Sequence, residues 1–141
     1  MALAAAQVVD ALAALVNAQA AVAGRVKTSR TWPWAEDQLP AVRVFVSDEV
    51  AEQATLDGVN AHRAAVDVQY TARATADLDD ALHALAASGQ ALLFAPVAPY
   101  GLQLTGIGRQ LATEGEAAIG QITLQVAATF FVQQAAPETI I

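Results

Sequence analysis

Residues 64–75 read AAVDVQYTARAT, and this stretch decides the fold. Apolar side chains alternate with polar ones along it: Val66, Val68, Tyr70, Ala72 and Ala74 against Asp67, Gln69, Thr71, Arg73 and Thr75. A period of two is typical of a strand with one buried face. About a dozen residues at ~3.3 Å each span roughly 40 Å, which is longer than the usual strand. The stretch therefore predicts a long strand with its apolar face in the core.

Further strands are predicted on both sides of this one. Residues 122–132 alternate in the same way, and residues 41–47 place three valines on one face. Residues 101–113 predict a strand interrupted by glycines, and residues 25–30 (RVKTSR) admit a short one. Asp57-Gly58 is a favourable turn pair, so a turn is expected before the long strand.

The N-terminal residues 2–23 are apolar and rich in alanine, and they predict an amphipathic helix. One stripe of the helix carries the larger apolar side chains, namely Val8, Leu12, Leu15, Val16 and Val22. Asp10 lies in the middle of the stretch, and a charge at that depth costs roughly 2.5–3.5 kcal/mol in a bilayer. We therefore expect a helix of a soluble protein, ended by Gly24, with no membrane partner.

A second helix is predicted over about 77–94, because leucines recur there with a helical period, at Leu78, Leu82, Leu85 and Leu92. Asp79 and Asp80 lie in its first turn, where the helix dipole favours acidic side chains. Gly89 lies inside the helix and weakens it by roughly 1 kcal/mol. Strands follow one another without a helix between each pair, which favours an α+β class over a doubly wound fold.

The predicted architecture is one domain over residues 1–141. It has a mostly antiparallel or mixed sheet of four to five strands, and two helices pack on one face of the sheet. Residues 133–141 are predicted to be a polar C-terminal arm. The other face of the sheet is polar and available to water or a partner. Long strands also leave long edges, which tend to pair with other chains.

Composition excludes several functions. The chain has no cysteine, so disulfides, thiol nucleophiles and iron–sulfur clusters are excluded. Its net charge of −7 disfavours a broad nucleic-acid interface. His62 and His83 are the only imidazoles, and no metalloprotease, nucleophile-elbow or phosphate-loop motif is present. The sequence therefore predicts no catalytic site, no metal site and no cofactor, and it disfavours an enzyme.

The window from Arg25 to Arg43 concentrates basic and aromatic side chains. It holds four of the seven basic residues together with Trp32 and Trp34. Arginine and tryptophan are enriched in protein–protein contacts, so contact with another protein is the favoured interpretation. Packing of the tryptophans in the core and stacking on nucleic-acid bases remain alternatives.

Two nearby motifs resemble a known family. Residues 29–33 read SRTWP, residues 39–45 read LPAVRVF, and Asp48-Glu49 follows. In that order, and with the helices and strands predicted above, they resemble the tail terminator family of long-tailed bacteriophages, which includes the lambda-like minor tail protein U. The poly-alanine N-terminus, Gly89 and the arm at 133–141 depart from what the family leads one to expect.

The resemblance implies a virion structural protein without catalysis or cofactor. Such proteins form a hexameric ring on the tail tube, stop addition of tube subunits and offer a surface to the head-completion or neck proteins. The implied location is the head–tail junction of the virion, after assembly in the host cytoplasm. DNA would pass through the ring only as cargo, and an acidic lumen would repel its phosphates.

The candidate subunit or tube contacts combine the basic-aromatic window with the acidic stretch that follows it. They are Arg30, Trp32, Trp34, Arg43, Asp48, Glu49 and Glu52. We expect Trp34→Ala or Arg30→Glu to impair assembly without unfolding the monomer. A head–tail joining or tail-completion protein is the alternative function, and a small soluble α+β enzyme or binding module is a more remote one.

Overall fold

The structure, a computed structural model, describes residues 3–28, 38–74, 77–95, 98–114 and 117–141. Its elements follow in the order α1 (Ala4–Val16), β1 (Val26–Lys27), β2 (Ala41–Gln53), β3 (Val59–Ala74), α2 (Leu78–Phe94), β4 (Gly101–Glu114), β5 (Ala117–Gln133) and β6 (Ala136–Ile140). The α+β class is confirmed, and the sheet has six strands where four to five were predicted.

The sheet is mixed, with the order β1-β2-β3-β5-β4. The short β1 runs parallel to β2, and all other neighbours are antiparallel. β3 and β5 pair along their whole length, from Val59 opposite Gln133 to Ala74 opposite Ala118. The two longest alternating stretches of the sequence are thus the two central strands.

Both helices pack on one face of the sheet, hereafter the helix face. α1 lies against β2, and α2 lies against β5 and β3. The predicted core residues are buried there: Val42, Val44, Val66, Val68, Tyr70, Ile122, Leu124, Val126, Ala128, Phe130 and Val132, with Val8, Leu12, Val16 and Val22 from the N-terminal segment. The opposite face, hereafter the open face, carries Asp67, Gln69, Thr123 and Gln125.

The first helix is shorter than predicted. It ends at Val16, and Asn17 caps it, so Gly24 does not end the helix. The Asn17 side chain accepts a hydrogen bond from the backbone N–H of Gly24 at 2.9 Å, which closes a turn over the residues between them. Gly24 has φ of 77°, a conformation that glycine adopts without strain. Val22 lies within this turn and is fully buried in the core.

The second helix has the predicted extent, and the structure explains its glycine. Tyr70 lies fully buried beneath α2, and its hydroxyl donates to Gln19 Oε1 at 2.6 Å. Gln19 Nε2 in turn donates to the Leu85 carbonyl at 3.0 Å. A Cβ on Gly89 would lie 1.8 Å from the Tyr70 hydroxyl, so only glycine fits there. We call Gln19, Tyr70, Leu85 and Gly89 the tyrosine clasp.

The C-terminal residues predicted to be an arm fold onto the sheet. Ala136–Ile140 form β6, which pairs with β5 at Val132–Ile140 and Gln133–Ala136. β4 and β6 lie on the same side of β5. The pairing of β4 with β5 reaches only to Thr129, and β6 pairs with the residues of β5 that follow. Its residues alternate between half-buried and exposed, and Ile140 packs against the core.

Candidate assembly surface

The acidic candidate residues lie on the hairpin formed by β2 and β3. Its segment Ser47–Ala65, hereafter the hairpin arm, has its turn at Asp57-Gly58 as predicted. The β3 strand of the arm also pairs with β5, and Ala64 is buried in the core, so the exposed strand of the arm is β2. Every residue from Ser47 to Asp57 is exposed. This outer part of the arm carries four carboxylates, from Asp48, Glu49, Glu52 and Asp57, and no lysine or arginine. On the paired strand, the exposed Arg63 lies opposite Val50, so the accessible surface is mainly but not uniformly negative.

A β-bulge at Ser47 determines which way the acidic side chains point. The pairing of β2 with β3 shifts between Val46 and Asp48, so Ser47 has no opposite residue. Its hydroxyl donates to the Ala65 carbonyl at 3.2 Å. One extra residue exchanges the two faces of a strand. Asp48 and Glu52, opposite Ala65 and Ala61, consequently lie on the open face of the sheet.

Glu49 lies on the helix face and has a local partner. His62 Nδ1 is 2.9 Å from Glu49 Oε1, and it donates because an ionised carboxylate can only accept. The His62 ring also stacks on Phe130, with centroids 5.4 Å apart and an angle of 16° between the planes. Glu49 thus helps to hold the base of the arm, whereas Asp48 and Glu52 have their carboxylates on the face away from both helices.

Arg43 lies near the other end of β2 and does not meet the acidic group. It is half-buried opposite Gln69 on the open face. Five positions along a strand separate it from Asp48, roughly 15 Å. Arg30, Trp32 and Trp34 lie outside the described residues.

Two exposed apolar side chains on β4 were not predicted from the sequence. Ile107 is 40% exposed and Leu111 is 63% exposed, although both are large apolar side chains. A bulge at Thr105 places them on the helix face, and the Thr105 hydroxyl donates to the Gln125 carbonyl at 3.0 Å. A serine or threonine within an alternating strand was the available signal for both bulges.

Polar groups near the start of α2 form a small pocket of about 130 Å³. Arg109 Nε donates to His83 Nε2 at 3.3 Å, and Asp79 lies beside them. Within the ranges that the structure describes, no three histidine, aspartate or glutamate side chains are grouped as metal ligands would be. Nor does any described helix combine the length and apolar character needed to cross a membrane.

A broader groove of about 450 Å³ lies between α2 and the turn after α1. Its walls are mostly small or apolar side chains, with polar groups at its margin: Gln19, Ala20, Ala21, Pro40, Ala72, Arg73, Ala81, Ala84, Leu85 and Ser88. Among the described residues that line it, none is a histidine, an aspartate or a glutamate.

We compared the chain with family models, curated proteins and solved structures. No family model matches the sequence, and no curated protein matches it. Among solved structures, the chain is similar to one in the particle titled "Virion of native gene transfer agent (GTA) particle". The two share 16% identity with a TM-score of 0.47, over 89% of this chain and 90% of the other. These values assign no function, so a functional proposal depends on the chain's own residues.

Proposed function

We propose that this chain is a virion structural protein, namely a tail terminator whose six copies form a ring on the end of a tail tube. The motif SRTWP at 29–33, followed by LPAVRVF at 39–45, supports the family. The observation that carries the proposal is the shape of the sheet, which has long outer strands and an exposed acidic stretch on β2. These are features of a subunit that binds other subunits.

The two outer edges of the sheet differ, which suits a ring. β1 and β2 form one edge, and β4 forms the other. Unlike edges favour a head-to-tail contact between copies, and such a contact closes into a ring when its rotation permits. A symmetric dimer would instead use the same surface on both copies.

The hairpin arm supplies a contact to neighbouring protein. Asp48 and Glu52 are exposed on the open face. Their negative charge is opposite to that of the arginines in the window from Arg25 to Arg43, so both are suited to pairing with basic groups of a partner. Arg30, Trp32, Trp34 and Arg43 complete the proposed contacts to a subunit or to the tube. Glu49 has a more structural role, because its carboxylate is bound to His62.

Termination requires two unlike ring faces. One face complements the exposed end of the tube, and the other lacks the surface that the next tube subunit needs. We propose that this second face receives the head-completion or neck protein at the head–tail junction, and that DNA passes through the lumen without being held.

The test is deletion of the gene from its parent particle, followed by measurement of tail length by negative-stain electron microscopy. A terminator predicts overlong tubes, whereas tails of normal length detached from heads would indicate a joining protein. The purified chain should also form rings of about six copies. A monomer with a measurable enzymatic turnover would overturn the proposal.

A double variant tests whether the hairpin arm contributes to termination. Asp48→Asn with Glu52→Gln removes two charges and almost no volume, and we expect lower terminator activity in complementation. Asp10→Asn with Asp80→Asn removes two exposed charges from the helices and is the matched control. Equal activity of the arm variant and the control would contradict a role for the arm.

A further inference from the structure

We propose that two exposed apolar patches on opposite faces of this chain bind each other in neighbouring copies, one patch from each copy. The inference rests on the proposed ring and specifies its subunit contact. Its basis is the position of the exposed apolar side chains, because five of the seven large ones among the described residues fall in two groups. Val50, Phe131 and Ile141 form one group, and Ile107 and Leu111 form the other.

The first group lies on the open face around an arginine, and we call it the phenylalanine patch. Val50 is 52% exposed and lies opposite Arg63. Phe131 is 46% exposed and lies diagonally from Arg63 across β3 and β5, at a spacing of roughly 8 Å. Ile141 is 61% exposed and lies beside Phe131, because its N–H donates to the Phe131 carbonyl at 2.9 Å. Aromatic and arginine side chains carry much of the binding energy in protein contacts.

The second group lies on the helix face of β4, and we call it the β4 patch. Ile107 and Leu111 share this side of the strand with Arg109 between them. Leu111 and Asp79, the latter from α2, line the same small pocket. The β4 patch therefore combines two exposed apolar side chains with a neighbouring carboxylate.

The principal charges of the two patches are opposite. Arg63 and Asp79 are both exposed, and neither forms a side-chain hydrogen bond or an ion pair with another described residue. Asp80 follows Asp79, so the start of α2 is acidic. Contact between the patches would place the arginine of one copy against the carboxylate of the next while their apolar side chains are buried.

The remaining charges also fit this contact. Asp48 and Glu52 lie on the open face beside the phenylalanine patch, and Arg109 lies in the β4 patch. Arg109 donates its Nε hydrogen to His83 Nε2, which accepts only as a neutral imidazole, so the guanidinium keeps its charge on the helix face. The carboxylates of one copy would thus meet a cation of the next.

A second phenylalanine patch is a poorer partner than the β4 patch. A symmetric contact uses the same surface on both copies and stops at two. It would leave Ile107 and Leu111 exposed in every copy. Contact between unlike patches covers both groups, and proteins rarely leave such apolar surface open.

The positions of the patches prevent a copy from making this contact with itself. The patches lie on opposite faces of the sheet. Ile107 is level with Leu124 on β5, and Phe131 lies seven positions further along that strand, roughly 23 Å away. The contact therefore joins two copies through unlike surfaces, and such a contact closes into a ring when its rotation permits.

A mixing experiment tests the contact. Val50→Lys with Phe131→Lys disables the phenylalanine patch, and Ile107→Lys with Leu111→Lys disables the β4 patch. Each variant alone should be monomeric where the parent chain forms rings, with association weakened about tenfold or more. An equimolar mixture should form dimers with one copy of each variant and nothing larger, because one intact pair of patches remains. Native mass spectrometry over a concentration series distinguishes these species.

The matched control is Leu3→Lys with Leu56→Lys. It adds the same two lysines at exposed apolar positions outside both patches. This control variant should form rings as the parent chain does. Loss of its rings would show that added lysine disrupts assembly at any exposed position, and would overturn the assignment to the patches.

An exchange of charges tests the partner of Arg63. Arg63→Glu and Asp79→Lys should each weaken assembly, and their combination should restore it, because the ion pair then forms with its charges exchanged. Asp80→Lys makes the same change one residue along α2 and should not restore assembly to Arg63→Glu. Since only a folded chain assembles, restoration cannot result from unfolding.

The outcomes separate this inference from the proposed ring. Rings of the parent chain together with mixed dimers of the two patch variants support both. Rings of the parent chain with a mixture that stays monomeric, or with a patch variant that still forms rings, overturn the patch contact alone. Loss of assembly in Arg63→Glu without restoration by Asp79→Lys also overturns it. A parent chain that stays monomeric at every concentration overturns both.

Discussion

The strand pair β2–β3 has two ends with opposite character. At one end Val42 and Tyr70 are fully buried, and Tyr70 belongs to the tyrosine clasp. At the other end, in the hairpin arm, β3 still pairs with β5, but β2 is exposed at Asp48 and Glu52. One continuous ladder of backbone hydrogen bonds thus joins a buried end to an end that is exposed along β2.

This difference separates residues that stabilise the fold from residues that are available for binding. In the tyrosine clasp, the Tyr70 hydroxyl and the Gln19 amide both have hydrogen-bond partners, and the contact with Tyr70 requires glycine at position 89. On the arm, the substitution of one surface side chain by a similar one should change the stability by less than about 0.5 kcal/mol. The predictions below test this separation, from the largest expected effect on stability to the smallest.

Gly89→Ala should cost the most. Alanine favours a helix by about 1 kcal/mol over glycine, but its Cβ would lie 1.8 Å from the Tyr70 hydroxyl and 2.7 Å from Cζ. Because the tyrosine is held by its own hydrogen bond, we expect a net loss of about 3 kcal/mol in the free energy of unfolding. Denaturant unfolding measures it, with Ser88→Ala on the exposed side of α2 as the control. Unchanged stability would show that the clasp is loose.

Tyr70→Phe should cost less. It removes the hydroxyl that donates to Gln19 Oε1 and leaves that oxygen without its donor in a buried site. The expected loss is about 1–3 kcal/mol. Tyr100→Phe, at a half-buried position, is the control. Combined with Gly89→Ala, the loss should be smaller than the sum, because the closest contact of the added Cβ is then gone.

High pH should destabilise the clasp selectively. Burial raises the pKa of the Tyr70 phenol well above its ordinary value, against a smaller lowering by the Gln19 hydrogen bond. The unfolded chain loses this proton near pH 10, and the folded chain keeps it, so stability is full below that pH and falls as the pH rises above it. Unfolding measured from about pH 8 to pH 11 should show the fall.

Tyr70→Phe is the comparison for this pH dependence, and it should flatten the fall without removing it. Burial also raises the pKa of Tyr100, which continues to contribute in the variant. An identical alkaline profile for both proteins would contradict the assignment to Tyr70.

The buried end was largely predictable from the sequence. The alternation of valines in residues 41–47 and 64–75 identified the buried face, and the period of the leucines identified α2. The clasp was not predictable, because Gln19, Tyr70 and Gly89 are far apart in the chain and meet only in the packed structure. From the sequence alone, Gly89 was therefore predicted only to lower the stability of α2.

The exposed end was harder to predict. The acidic stretch after Ser47 has no apolar alternation, so its continuation as part of β2 was missed, as was the change of face at the bulge. Pro137 and the short length of β6 concealed that strand. Of the candidate contacts, Asp48 and Glu52 lie on an accessible surface as a contact requires, and Glu49 also has a structural partner.

Glu49→Gln should have a small effect on stability. The side chains of Glu49 and His62 are 30% and 21% exposed, so solvent screens their interaction. We expect a loss of about 0.5 kcal/mol, measured by thermal unfolding, with Glu52→Gln as the neighbouring control. A loss as large as that of Tyr70→Phe would mean that the base of the arm is anchored as firmly as the clasp.

Asp48→Asn with Glu52→Gln should leave stability unchanged and alter association alone. The asparagine retains the oxygen that accepts the Glu49 N–H at 2.9 Å, and neither carboxylate contributes to the core. We expect a free energy of unfolding within about 0.5 kcal/mol of the parent chain, together with weaker assembly by mass measurement. Asp10→Asn with Asp80→Asn controls for net charge. If assembly weakened only together with stability, the arm would be part of the fold, and the separation between the two ends of β2–β3 would fail.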